Sequence, residues 1–211
     1  MKVVSTNIAQ PREIIWNGKP EITGIFKEST SLPIQLGTTD VVGDAVIDRR
    51  YHGGVDKACY LYAADHYDYW RAQYPDKELP YGMFGENLTV EGLDETKMII
   101  GDVYQLGTAK VQVSEPRQPC YKLGIRFDDQ GILKKFVNST FSGVYVRVLE
   151  VGEVSVGDTF ELIESVEQGL SIAEIYGLIY AKTAEPETMR TLLSDQYLPT
   201  YLKLKLLDKL S

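Results

Sequence analysis

Short runs of β-branched and aromatic residues recur along the first 164 residues, between turn-forming Gly, Asp, Asn and Pro. In the run from Val144 to Val148 every second residue is valine, as in a strand that buries one face more than the other. Asn17-Gly18 is a hairpin signal between two such runs. The pattern predicts strands over residues 2–9, 13–16, 21–27, 41–48, 58–62, 87–90, 102–106, 110–115, 144–151 and 159–163. Many short strands with few helices predict a β-barrel or closed sandwich, which leaves no exposed sheet edge.

Helical patterns interrupt the strands and then replace them. The aromatic-rich segment 64–74 ends at Pro75, and a shorter helix is predicted over 132–138. After Glu164, Ser171 and Glu174 have the spacing of a capping box, and the following isoleucines repeat at helical intervals. Two more helices are predicted from near 186 to 193 and after 199.

The predicted fold class is therefore mainly β with added helices. The change of character near residue 165 divides the chain into a β-barrel domain over 1–165 and a small three-helix C-terminal subdomain over 166–211.

Composition and charge narrow the class of protein. Of the 211 residues, 44% are hydrophobic and 25% charged, which is typical of a folded globular protein. The net charge of −8 repels phosphate backbones, so no nucleic-acid partner is expected. Neither a signal peptide nor an apolar run of about 20 residues is evident, which predicts a cytoplasmic protein that does not span a membrane. In that compartment the two cysteines are expected to be free thiols.

The densest candidate site is the segment 49–57, Arg-Arg-Tyr-His-Gly-Gly-Val-Asp-Lys. Adjacent glycines allow backbone N–H groups to converge on an anion, and the flanking arginines and Lys57 supply positive charge. The segment predicts an anion-binding turn. An ordinary basic turn explains the same residues equally well.

The second candidate is Cys120, in the segment Pro116-Arg117-Gln118-Pro119-Cys120-Tyr121-Lys122. Nearby cations favour the thiolate, which attacks electrophiles and binds soft metals, and the prolines stiffen the loop. A loop with an inert thiol is the alternative. Cys59 lies in an apolar strand and is predicted to be a core residue.

Three motifs in series resemble the MOSC domain family, which is named for the C-terminal domain of molybdenum cofactor sulfurases. They are Arg49-x-x-His52-Gly53-Gly54-x-x-Lys57-Ala58, then Phe84-Gly85-Glu86-Asn87-Leu88, then Pro116-Arg117-x-Pro119-Cys120-x-Lys122. The resemblance covers roughly residues 25 to 164. The three-helix tail is similar to the C-terminal extension of the bacterial 6-hydroxylaminopurine resistance branch of that family.

The resemblance implies a barrel-like fold that binds the molybdenum cofactor, Mo-molybdopterin, with Cys120 as protein ligand to the metal. Arg49, Lys57, Arg117, Lys122 and the Gly53-Gly54 backbone would meet its phosphate and pterin, and Asn87 its pterin edge. Members of this branch resemble reductases that convert N–OH to N–H in N-hydroxylated compounds, such as purine bases, for detoxification. The catalytic residues would then be Cys120 and His52, a proton donor near neutral pH, with Glu86 as the reserve acid.

The chain has no flavin or iron–sulfur motif, so the electrons are expected to come from a separate redox protein. Two other functions stay open on the residues alone. One is a carrier that holds sulfur or cofactor on Cys120 without turnover, and the other is a barrel that binds an anionic metabolite and does no chemistry.

Overall fold

An eight-stranded, mostly antiparallel sheet organises the protein, which a computed structural model describes over residues 1–49 and 51–210. Its strand order is β12-β8-β9-β10-β6-β7-β1-β4, and only the β6–β7 pair is parallel. Strand β11 pairs with β5, and β2 with β3, in two small additional sheets.

The strands are β1 Lys2–Ile8, β2 Arg12–Trp16, β3 Lys19–Thr23, β4 Glu28–Thr30, β5 Ile34–Leu36, β6 Cys59–Ala63, β7 Leu88–Glu91, β8 Val103–Leu106, β9 Ala109–Pro116, β10 Val144–Glu150, β11 Gly152–Val154 and β12 Phe160–Glu164. The α-helices are α1 Tyr67–Gln73, α2 Tyr121–Phe127, α3 Ile132–Ser139, α4 Ile172–Tyr180, α5 Pro186–Ser194 and α6 Thr200–Leu210.

Strand β6 contributes side chains to two separate cores, because successive side chains of a strand point to opposite faces. Cys59 and Leu61 pack into an aliphatic core with the other strands, whereas Tyr60 and Tyr62 pack into an aromatic cluster. That cluster contains Trp70 and further rings from α1, α2, α3 and the loop before β7. All five residues of β6 are buried, so the strand lies at the centre of the molecule.

The mainly-β fold is confirmed, but the sheet does not close as a barrel. Over the described residues, β12 and β4 form its two edges. An isolated bridge between Lys2 and Thr159 and a few backbone hydrogen bonds, such as Val3 N to Asp158 O at 2.8 Å, join the start of β1 to the chain just before β12. This contact is too short to be the continuous ladder that closure requires, because β4 occupies the same edge of β1 over residues 6–8.

The C-terminal helices pack on the aliphatic core of the sheet. Ser171 caps α4 through the predicted capping box with Glu174. Ile172 and Ile175 on α4 and Leu202 on α6 belong to the same buried cluster as the strands. The division at residue 165 into two domains stays a prediction, and Ser211 lies outside the described residues.

The short strands β4, β5 and β11 are absent from the sequence prediction, and two further segments differ from it. Residues 41–48 are an irregular segment instead of a strand, because their backbone groups bond to separate parts of the chain: Val42 N donates to Gln35 O and Ala45 N to Ala9 O. Helix α2 was not predicted, since it is short and contains Gly124. Both segments line the candidate site.

Candidate functional site

A recess opens where β9 ends, beside the irregular segment 42–48. Its empty space measures about 630 Å³, a volume that includes the solvent at its open side. The lining residues are Thr23, Gly24, Ile25, Lys27, Asp44, Ala45, Val46, Ile47, Asp48, His52, Gly53, Lys57, Ala58, Tyr60, Gly85, Asn87, Arg117, Cys120, Lys122 and Tyr145. The three sequence motifs, which are far apart in the chain, therefore meet at one cavity.

The cysteine motif enters the cavity from the end of β9. Pro116 is the last residue of that strand, and proline lacks the N–H needed to continue a ladder. The chain then turns, and Cys120 becomes the N-cap of α2, with its carbonyl accepting from Leu123 N at 2.9 Å. Its thiol is partly exposed at the cavity, whereas Cys59 is fully buried and burial raises the pKa of the Cys59 thiol. The structure thus separates one partly exposed cysteine from one buried in the core.

Arg117 is the most unusual residue of the cavity wall. Its side chain is only 3% exposed, yet its Nη1 has no hydrogen-bond partner among the described residues. The guanidinium lies over the rings of Tyr60 and Phe136, 5.1 and 5.7 Å from the ring centroids. A buried unpaired guanidinium N–H costs free energy unless a ligand accepts from it, so Arg117 indicates an anionic or strongly accepting ligand.

The glycine turn allows close packing in the cavity wall but does not provide the expected pair of backbone donors. Gly53 has φ +77°, and a Cβ there would lie 2.7 Å from Val46 Cγ1, so the turn needs glycine at this position. The N–H of Gly54 already donates to Thr39 O at 2.8 Å and is not available to an anion. Gly54 also lies outside the cavity lining, and Arg50 falls outside the described residues.

His52 lines the cavity beside three cations. Burial, together with the positive charges of Arg117, Lys122 and Lys57, lowers the pKa of His52 to about 4. The imidazole is therefore neutral at pH 7 in the ligand-free cavity. A bound anion would offset the same cations and raise that pKa again, so a larger fraction of His52 would carry a proton near neutral pH.

Lys57 and Lys122 extend the positive wall. Lys57 Nζ donates to Tyr51 O at 3.1 Å and lies 3.7 Å from Glu115 Oε1. Lys122, in the first turn of α2, is 9% exposed. Both lysines keep the cavity positive in a protein whose net charge is −8.

A buried network that the sequence did not reveal forms another part of the wall. Asp44 pairs with Lys27 and accepts from Asn87 Nδ2 at 3.0 Å. Asn87 Oδ1 accepts from Tyr60 N at 3.2 Å, so both ends of this amide already have protein partners. Asn87 thus shapes the wall, and its predicted contact to a pterin edge would have to replace an existing bond. No local signal marks Lys27 or Asp44, because they meet only in the tertiary structure.

Besides Gly54, two predicted site residues lie outside the cavity lining. Glu86 is fully buried, and its carboxylate accepts from Tyr67 Oη, Gly82 N, Phe84 N and Thr89 Oγ1. These contacts hold the loop before β7, and Glu86 is not among the residues that line the cavity. Arg49 is exposed and pairs with Asp40. It lines a neighbouring shallow groove instead.

The residues present fit an anionic cofactor with a soft metal. The cavity offers one thiol and an unpaired buried guanidinium with further cations. Among the described residues, no three His, Cys, Asp or Glu side chains form a group able to hold a metal ion. A metal at Cys120 would therefore take most of its ligands from an organic cofactor, as a dithiolene provides.

Comparison with known proteins decides the family. The model of the MOSC domain matches residues 48–161, which span the glycine turn and the cysteine loop. The chain belongs to the MOSC domain family. It is 41% identical over 170 residues to the uncharacterized protein YflK of Bacillus subtilis, covering 81% of this chain and 76% of that protein. It is 32% identical to protein YiiM of Escherichia coli, over 84% and 79% of the two chains.

A third relative carries an activity in its name. This MOSC protein is 36% identical over 166 residues to a protein of Gibberella moniliformis named reductase. The match covers 77% of this chain but only 29% of that much longer protein.

Solved structures share the whole architecture of this MOSC protein. The crystal structure of YiiM from Geobacillus stearothermophilus superposes with a TM-score of 0.82 at 31% identity, over 100% and 99% of the two chains. That of YiiM from Escherichia coli gives 0.76 at 25% identity, over 99% and 92%. Across residues 1–49 and 51–210, no helix is both long and apolar enough to cross a membrane.

Proposed function

We propose that this MOSC protein is a molybdenum-cofactor-dependent reductase of N-hydroxylated compounds, such as N-hydroxylated purine bases. The observation that carries the proposal is the buried Arg117 guanidinium with an unpaired N–H, in the same cavity as the accessible Cys120 thiol. The relative named reductase supports the class of reaction.

Several cavity residues would interact with the cofactor, each in a different way. Cys120 would hold the metal, since a thiolate is a soft ligand. Arg117 would bind a phosphate or pterin edge through its free N–H, with Lys57 and Lys122 adding charge. Gly53 would let the turn that carries His52 approach closely, because a side chain there is excluded by Val46.

When bound, the cofactor would supply a two-electron reduction. The N–OH group of the substrate would take up two electrons and two protons, and the products would be N–H and water. The electrons would come from a separate redox protein. Loss of water requires a proton near the leaving oxygen, and His52 would donate it once anionic charge has offset the neighbouring cations and raised the pKa of His52. Glu86, which already accepts four hydrogen bonds, holds its loop instead.

Metal and pterin analysis of protein purified from a molybdenum-replete host tests the proposal. We expect about one molybdenum per chain in the wild type and a loss of at least tenfold in Cys120→Ala, because the protein ligand is removed. Cys59→Ala is the matched control and should keep its molybdenum, since Cys59 lies in the core. Reduction of an N-hydroxylated purine should fall with the metal content.

Other results would point elsewhere. Persulfide sulfur on Cys120 without molybdenum would indicate the carrier function. Equal molybdenum content and turnover in the wild type and Cys120→Ala would overturn the assignment of the metal ligand.

A further inference from the structure

Behind the cavity wall lies a buried carboxylate with one unused oxygen. Glu115, near the end of β9, is 1% exposed, and its Oε1 has no hydrogen-bond partner among the described residues. That oxygen lies 3.7 Å from the ammonium of Lys57, which lines the cavity. The other oxygen, Oε2, accepts from the hydroxyl of Tyr201 on α6. Glu115 itself is outside the cavity lining, so its charge acts on the site through Lys57.

The ammonium of Lys57 is enclosed by groups from several elements. Besides Glu115 and Tyr51 O, the rings of Tyr201 and Tyr145 lie 5.0 and 5.9 Å from Nζ. An anion that binds Lys57 from the cavity would therefore compete with an internal carboxylate for the same positive charge.

We propose that Glu115 is the internal counter-ion of Lys57, and that it takes up a proton from solvent when an anion in the cavity pairs with Lys57. No bond to carbon changes, and the only species transferred is a proton, at most one per bound anion. The inference rests on the anion-binding role of the cavity in the proposed function. It adds the C-terminal helix to the site, because Tyr201 stabilises the ionised form of Glu115.

The charged and titratable groups around Glu115 are consistent with such an exchange. Burial raises the pKa of Glu115 to about 7, while Lys57, the hydroxyl of Tyr201 and Arg147 oppose that rise and Asp56 adds to it. Tyr145 is a further titratable neighbour, and burial raises its pKa to about 12, so it stays neutral. An anion near Lys57 weakens the largest of the attractions that keep Glu115 ionised, so anion binding and proton binding favour each other.

Sulfate is a suitable probe, because its charge stays constant in the neutral range. Calorimetric titration of the cofactor-free full-length protein should show sulfate affinity rising about fivefold from about pH 8 to about pH 6. In Glu115→Gln, which keeps the shape and an acceptor for Tyr201, affinity at the higher pH should equal or exceed that of the wild type. The sulfate affinity of Glu115→Gln should depend less on pH than that of the wild type, and only the part contributed by His52 should remain.

Tyr201→Phe tests the contribution of α6. Loss of the hydroxyl should raise the pKa of Glu115 and move the midpoint of the pH dependence upward. Tyr69→Phe, a partly exposed tyrosine on α1 away from the cavity, should leave the midpoint unchanged. Circular dichroism of each variant checks folding, and Tyr201→Phe alone suffices if Glu115→Gln does not fold.

The possible failures are distinguishable. If sulfate binds but Glu115→Gln retains the full wild-type pH dependence, or Tyr201→Phe leaves the midpoint in place, the counter-ion inference is overturned and the proposed function stands. If sulfate does not bind at any pH and purified protein also lacks molybdenum, both are overturned.

Discussion

Burial separates two arginines that the sequence motifs treat alike. Arg117 lies inside the cavity wall with an unpaired N–H, whereas Arg49 is more than half exposed and pairs with Asp40. Exposed ion pairs contribute about 0–1 kcal/mol, because water screens them and two side chains must be held in place. A buried guanidinium that meets a ligand anion contributes more, since the two groups interact in a low dielectric.

We therefore expect Arg117→Lys to lower cofactor occupancy by about tenfold, since lysine cannot present the two N–H groups of a planar fork. Arg49→Lys is the matched control and should retain wild-type occupancy. Molybdenum per folded chain measures both. If Arg49→Lys lost as much occupancy as Arg117→Lys, Arg49 would also contribute to cofactor binding.

At the scale of elements, irregular segments position the site and regular strands support it. The turn at residues 52–54, the segment 42–48 and the loop from Pro116 to Cys120 all project from the sheet toward one cavity. The two glycines of the turn have positive φ, but only Gly53 is packed against Val46.

Alanine substitution should separate these two glycines. Gly53→Ala and Gly54→Ala should each cost about 1 kcal/mol of unfolding free energy, because φ is positive at both positions. A Cβ at Gly54 would meet no described atom within 4 Å, so Gly54→Ala should leave cofactor occupancy unchanged. Gly53→Ala should also displace Val46 and lower cofactor occupancy severalfold. Denaturant unfolding and molybdenum analysis measure the two effects, and equal occupancy in both variants would contradict the steric argument.

At the scale of the whole molecule, the C-terminal helices and the sheet share one aliphatic core. Arg147 on β10 strengthens the connection by donating to Asp56 Oδ1 at 2.6 Å and to Tyr197 O at 2.6 Å. The three-helix region thus contacts both the sheet core and, through Tyr201 and Glu115, the rear of the cavity.

Deletion of residues 166–211 should destabilise the remaining chain enough to cause aggregation. Each large aliphatic side chain removed from the core takes about 1.5–3 kcal/mol of burial with it, against a total stability of about 5–15 kcal/mol. Size-exclusion chromatography and denaturant unfolding of the truncated chain check this. A soluble monomer with a cooperative transition would instead support two independent domains.

The stability of the cofactor-free protein should fall with acid through His52. Its pKa is about 4 in the folded cavity and 6.5 ordinarily, so between these values the unfolded chain binds more protons. Lowering the pH from about 7 to about 5 should cost about 2 kcal/mol through this residue alone. His52→Gln should lose that part of the pH dependence in urea unfolding. Parallel stability profiles for the two proteins would show that His52 titrates normally.

The sequence by itself determined the class of the fold, most of its elements and the family. Period-two valines, the Asn17-Gly18 turn and the Ser171 capping box are local patterns, and local patterns suffice where neighbouring residues interact. The motif order likewise identified Cys120, Arg117, Lys57 and His52, which the structure brings to one cavity.

Only the tertiary structure decided which motif residues reach that cavity and which do not. Glu86 and Arg49 have the right residue types, yet Glu86 is enclosed by its own loop and Arg49 is exposed and pairs with Asp40. Lys27 and Asp44 are 17 positions apart in the chain, and Glu115 and Tyr201 are 86 positions apart, yet each pair is in contact in the folded protein. Burial, charge pairing and cavity shape depend on such long-range contacts, for which the chemistry of a single sequence carries no local signal.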